Sequence, residues 1–212
     1  MAERNSRRKK RDMQELIDNL RKRNINGYFA ADTGKALETA MGLIPEGSSV
    51  GFGGSVTLEQ IGILDTLRER DDIELIDRSK APDTKKLHEL YLRMFSCDIF
   101  LSSANAITSN GQIVNVDGRG NRVAMITYGP GKVIIIAGRN KITGTLDAAL
   151  ERIRKIACPM NVKRLKEMAE SSPISSKVEI TEERIWGQVS VIERQIDKDR
   201  IHVIIVDENL GF

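Results

Sequence analysis

Apolar and polar positions alternate along this chain in stretches of two kinds. Met13, Leu16, Ile17 and Leu20 share one face at helical spacing, which predicts a first helix closed by residues 24–27. Tyr28-Phe29-Ala30-Ala31 is a short apolar run, and Asp32-Thr33 supplies N-cap residues for a helix carrying Ala36, Leu37, Ala40 and Leu43. After the turn at Pro45-Glu46-Gly47, Ser49-Val50-Gly51-Phe52 reads as a buried strand. Gly53-Gly54-Ser55 is its loop, and Leu58, Ile61, Leu64 and Leu67 form the apolar face of the next helical segment. The unit repeats with a strand at 74–77, a helix over 83–95 striped by Leu87, Leu90, Tyr91, Met94 and Phe95, and a strand at 98–102. Residues 123–128 read as helix and 133–137 as a β-branched strand buried on both faces. Residues 146–170 read as helix, with Pro159 as the candidate break.

Strands alternating with helices, in continuous apolar runs, indicate an α/β fold with a largely parallel central sheet and helices on both faces. The end differs. Residues 185–194 and 201–206 are two strands flanking an Asp-Lys-Asp turn, which predicts an antiparallel C-terminal strand pair at a sheet edge.

Between the strands at 98–102 and 133–137 lies the most polar part of the interior. Asn110-Gly111, flanked by Ala106-Ile107-Thr108 and Ile113-Val114-Asn115-Val116, signals a two-residue hairpin in which both central residues take positive φ. Its return strand delivers Asn115 and Asp117 toward the loop Gly118-Arg119-Gly120-Asn121-Arg122. Carboxamides, a carboxylate and two guanidinium groups near a core need partners, and a ligand is one.

The 212 residues suffice for one domain with its own core, read as a basic segment 1–12 and a single domain over 13–212. The composition is that of a soluble protein, no apolar run reaches membrane-span length, and no secretory signal precedes the first helix. A cytoplasmic location is expected, without a membrane partner. The net charge of +3 is concentrated in Arg4, Arg7, Arg8, Lys9, Lys10 and Arg11, so the near-neutral body gives little reason to expect a nucleic-acid partner. Cys97 and Cys158 lack metal-ligand spacing and read as buried free thiols.

Ligands of open α/β sheets sit at strand carboxyl ends, so the loops after Phe52, Ser102 and Val116 are the candidates. Gly53 and Gly54 would admit an anion to backbone N–H groups, with Ser55 and Thr57 offering hydroxyls. The loop lacks both the Walker ending and dinucleotide spacing. For Asn105, Asn115, Asp117, Gly118, Asn121 and Arg122 two readings stand. Arg122, or Arg119, grips a carboxylate or phosphate while the asparagines orient it, or Arg122 pairs with Asp117 in an irregular loop. Arg139 and Lys141 add cations at a further strand end, read either as a solvated connection or as a second anchor. His88 and His202 fall in unpersuasive positions for a base, and Glu59 is the candidate acid or base.

The blocks Val50-Gly51-Phe52-Gly53-Gly54-Ser55-Val56-Thr57-Leu58, Asn105-Ala106-Ile107-Thr108 and Asn115-Val116-Asp117-Gly118, with Gly120-Asn121-Arg122-Val123-Ala124, resemble the LUD-domain family of lactate-utilisation proteins, the LutC/YkgG-like group. Gly129-Pro130, Lys132-Val133, Pro159-Met160-Asn161 and Ile201-His202-Val203-Ile204 extend the resemblance from about residue 13 to the end. It implies a NagB/RpiA/CoA-transferase-like fold and an association with oxidation of L-lactate to pyruvate beside iron–sulfur partner subunits. Relatives carry a cysteine-rich stretch where residues 170–187 here have none, so no intrinsic cofactor is expected and clusters would come only from partners. The leading expectation is an accessory subunit binding lactate, pyruvate or a related hydroxy acid. The alternatives are a stand-alone isomerase or transferase acting on a sugar phosphate or acyl-CoA, and a non-catalytic assembly subunit.

Overall fold

The computed structural model describes residues 2–171 and 179–212, with side chains from residue 11 onward, apart from 170 and 171. The basic side chains before residue 11, and residues 172–178 of the cysteine-free stretch, lie outside the described residues. The first helix, α1 (Ala2–Lys22), leads into β1 (Asn26–Ala30), α2 (Thr33–Gly42), β2 (Ser49–Phe52), α3 (Val56–Gln60), α4 (Ile63–Glu69) and β3 (Glu74–Ile76). Then come α5 (Thr84–Phe95), β4 (Ile99–Ser102), β5 (Ala106–Thr108), β6 (Ile113–Asp117), α6 (Asn121–Thr127), β7 (Lys132–Gly138) and β8 (Ile142–Thr143). The chain closes with α7 (Leu146–Arg152), α8 (Cys158–Ser171), α9 (Glu182–Ile185), β9 (Gln188–Ile192) and β10 (Ile201–Val206). Asp32 and Asp83 cap α2 and α5 by accepting from the N–H groups of Lys35 and Lys86, as short polar side chains before an apolar stripe do.

Six strands form a wholly parallel sheet in the order β1-β10-β7-β4-β2-β3. Its central strand β7 divides its side chains by the two-residue strand period: Val133, Ile135 and Ala137 enter one core cluster, Ile134 and Ile136 the other. The first cluster is closed by Leu16 and Leu20 of α1, Leu90 and Met94 of α5 and Met125 and Ile126 of α6, the second by α2, α3 and α4. The expected α/β architecture, with helices on both faces, is the observed one.

A second sheet, in the order β8-β5-β6-β9, stands over the carboxyl ends of the first. It contains the ribbon, whose turn differs from the expected one. Gly111 alone has positive φ (+87°). Its N–H donates to Thr108 O (2.8 Å), and the Thr108 N–H to Gln112 O (2.9 Å), giving a three-residue turn with the glycine in the left-handed position. The end of α1 fixes this choice, because Asn19 Nδ2 and Arg23 Nε donate to the carbonyls of Ser109 and Asn110.

The two last strands form but do not pair with each other. β9 runs antiparallel to β6, whereas β10 lies parallel between β1 and β7. All six residues of β10 are buried, and a strand apolar on both faces belongs inside a sheet, while β9 begins with exposed Gln188 and Val189 and suits an edge. Pro159 likewise reshapes its helix without breaking it. Lacking an N–H, it removes one helical bond, and the preceding turn, Ile153–Ala157, widens so that the Cys158 N–H donates to Ile153 O. This helical arm, with α9, packs Ala149, Ile153, Ala157 and Ile185 against Val114 and Val116 on the outer face of the second sheet.

Candidate functional site

Where β2, β4, β7 and β10 end, their loops meet the second sheet and α8 around a cavity of about 680 Å³, within the range of small-molecule sites. Gly54, Ser55, Asn105, Asp117, Gly118, Asn121 and Arg122 line it as expected. Gly53, Asn115 and Glu59 do not. Gly53 packs on the Arg122 stem, where a Cβ would lie 3.3 Å from Arg122 Cδ. Asn115 is fully buried within the ribbon strand β6, and Glu59 is exposed on α3. Arg139 is exposed as well, in an ion pair with Asp207 at 3.1 Å.

Arg122 lines the cavity, but its donors are committed to the protein. Its Nε meets Asp117 Oδ1 at 2.9 Å and its Nη1 meets Ser103 O at 2.9 Å, while its Nη2 reaches both Asn105 Oδ1 (2.6 Å) and Val116 O (3.0 Å). Four of five N–H groups are used, so no free fork remains for a bidentate anion. The other Asp117 oxygen accepts from the Val123 N–H at 2.7 Å, and Asn105 Oδ1 also accepts from the Val116 N–H at 2.9 Å. Of the two readings of this loop, the internal pair is the observed one, and it locks the start of α6 to the end of β6. Ser55 is also in use, because its hydroxyl caps α3 by accepting from the Leu58 N–H.

Five other cations line the cavity, Arg119 and Arg184 on its rim side and Arg78, Lys141 and Arg164 against the loops after β2 and β4 and α8. The Arg78 guanidinium lies against Gly54, where any Cβ would collide with its Nη2, and its Nη1 donates to Tyr91 Oη at 3.2 Å. Arg164 on α8 is fixed by Asn161 Oδ1 at 2.9 Å and lies within electrostatic reach of Glu59, Arg78 and Arg122. Lys141, in the turn after β7, is 3% exposed, and its Nζ donates to Thr57 Oγ1 and Ser103 Oγ, both at 2.9 Å. Burial, then the Arg152 and Arg122 guanidinium groups, pull its pKa down to about 7. Among the described residues none of Arg78, Lys141 and Arg164 is in an ion pair.

The loops after β2 and β4 line this cavity, and sequence reasoning misses Arg78, Arg164 and Ser103, which line it too. Lys141 is visible in the sequence as a strand-end cation, but its burial depends on the turn after β7 and on Gly211, whose would-be Cβ lies 3.2 Å from Nζ. The local sequence carries a signal for Gly-rich strand ends and none for which distant cations they face.

Residues 13–206 match the family model described as LUD domain. The chain belongs to the LUD-domain family. A solved structure described as a DUF162-family protein from Deinococcus radiodurans is 11% identical over 92% of this chain and 96% of that one, with a TM-score of 0.54. At that identity the likeness shows the shared fold. No curated protein matches the chain. Cys97 and Cys158 are buried free thiols, burial pushes the Cys97 thiol up to about 11, and no three His, Cys, Asp or Glu side chains group among the described residues. No described helix is long and apolar enough to cross a membrane.

Proposed function

We propose that this LUD-domain protein binds a small organic anion, a hydroxy or keto acid of the lactate and pyruvate type, as an accessory component of L-lactate oxidation to pyruvate. Any iron–sulfur chemistry would reside in partner subunits. The observation that carries the reading is the surplus of cations at the cavity: Arg78, Lys141 and Arg164 converge there without ion-paired carboxylates. Partly desolvated cations destabilise one another, and an incoming carboxylate relieves that repulsion. Arg122 contributes by rigidity, holding the loops between which the anion would lie.

The cavity is much larger than a three-carbon acid, which favours as a second reading a sugar phosphate or acyl-CoA with its phosphate near Arg78 and Arg164. Titration calorimetry with L-lactate, pyruvate, a sugar phosphate and coenzyme A separates these readings. We expect saturable binding of a three-carbon acid, weakened by about 1.5–3 kcal/mol in Arg164→Ala, the usual value of a charged hydrogen-bonding group. Binding confined to the phosphorylated compounds would move the function to the second reading, and no binding at all would leave an assembly role.

A further inference from the structure

Lys141 is the only buried lysine among the described residues, and nothing in its surroundings suits a permanent ammonium. Its neighbours in charge are Arg122 and Arg152, both cationic. Arg152 donates to the carbonyls of Asn140 (2.9 Å) and Asn105 (2.7 Å) and brings no acid with it. The two hydroxyls within reach, of Thr57 and Ser103, match the two N–H groups of a neutral amine. A neutral amine so held keeps one lone pair, and the cavity is the open space beside it. Desolvation beside another cation is the arrangement that activates lysine as a nucleophile.

We infer that Lys141 is a nucleophilic amine that condenses with the carbonyl carbon of a 2-keto acid bound in the cavity, forming an imine. The inference rests on the small-acid reading of the site given above. In the first step the lone pair of Nζ forms a C–N bond and the carbonyl oxygen takes up a proton, giving a carbinolamine. In the second the C–O bond breaks, and the two hydrogens of the amine leave with that oxygen as one water. No electrons are gained or lost, so no oxidant or reductant is required. The hydroxyls of Thr57 and Ser103 are the groups in contact with Nζ that can pass protons between nitrogen and oxygen. Arg164 and Arg78 supply the positive field for the carboxylate of the same molecule.

The test treats the full-length protein with pyruvate and cyanoborohydride near neutral pH and maps reduced adducts by peptide mass spectrometry. Pyruvate and lactate affinities are measured separately by calorimetry. The expected result is a carboxyethyl adduct at Lys141 forming at least about tenfold faster than at surface lysines such as Lys35, because a far larger share of the buried amine is unprotonated. Lactate, which lacks a carbonyl, should give none, and Lys141→Arg should abolish the adduct while the protein still melts cooperatively. Should Lys141→Arg fail to fold, amine labelling of the wild-type chain across pH 6–10 replaces it, and a Lys141 rate that keeps climbing in step with exposed Lys35 would overturn the inference. Pyruvate binding without a preferred adduct would overturn the imine and leave the small-acid reading intact. Absence of both binding and adduct would remove both.

Discussion

Arg122 at the β6–α6 corner and Lys141 at the end of β7 are cations of one cavity, held in opposite ways. The guanidinium is met by a carboxylate, a carboxamide and two backbone carbonyls. The ammonium position is met by two hydroxyls and faces two further cations. A charge surrounded by complementary groups is part of the scaffold, because removing it strands its partners. A charge surrounded by like charges and weak acceptors adds little to the fold, and its position is explained better by what it can do to a ligand.

Arg122→Ala puts this contrast under the greatest load. Asp117 and Arg122 are 11% and 13% exposed, so truncation leaves a nearly buried carboxylate with a single backbone donor and frees the carbonyls of Ser103 and Val116. Urea unfolding should show a loss of about 3–5 kcal/mol, the usual consequence of breaking a buried pair from one side. Lys141→Met at pH 7 should cost no more than about 1 kcal/mol, because methionine is a flexible unbranched side chain of similar length without a charge to desolvate. Equal losses in the two variants would mean that both cations belong to the scaffold.

The two cations also part company with pH. Lys141 has a folded pKa of about 7 against an ordinary value of 10.5, so between those values the unfolded chain binds more protons than the folded one. Stability therefore rises with pH across that window, by at most about 1.4 kcal/mol per pH unit, while below it the penalty of burying the charge is present in full. Unfolding free energies at pH 7.5 and 8.5 should show the wild type gaining on Lys141→Met. Groups common to both proteins, including the Cys97 thiol, cancel in the difference. A constant gap would mean that the amine keeps its ordinary affinity for protons.

These two residues also mark how far the sequence is legible. The parallel sheet can be read because β7 and β2 are continuous apolar runs and their helices carry apolar faces at helical spacing, both local patterns. The pairing of β9 and β10 cannot, since a short polar turn between two strands looks like a hairpin. Only the need of Ile201–Val206 for cover on both faces decides otherwise. Within the site, Asp117 and Arg122 stand five residues apart, so their pairing is among the foreseeable outcomes. Lys141 meets Thr57 across 84 residues and Ser103 across 38, contacts that depend on three strand ends converging. Glu59 misleads for the same reason in reverse. Its spacing from the Gly-Gly-Ser loop suggests a place in the cavity lining, but it is exposed on α3 and reaches the cavity only through its field on Arg164.

Asn115 gives the smallest effect and the least expected one. Its neighbours in β6, Val114 and Val116, enter the core under the helical arm, so the strand period turns Asn115 to the opposite side with Ile113. There it is fully buried, and among the described residues neither its amide oxygen nor its nitrogen has a hydrogen-bond partner. An unmet carboxamide in the core is a standing cost, and leucine has nearly its shape without its polar atoms. Asn115→Leu should therefore raise stability by about 1–2 kcal/mol, or roughly 2–6 °C in Tm. It should leave the affinity of the cavity for anions unchanged, since the amide does not face it. Weakened anion binding with a raised Tm would return Asn115 to the site by way of the ribbon. A lowered Tm would mean that the carboxamide is held as firmly as the guanidinium of Arg122, and that β6 carries a second polar element of the scaffold.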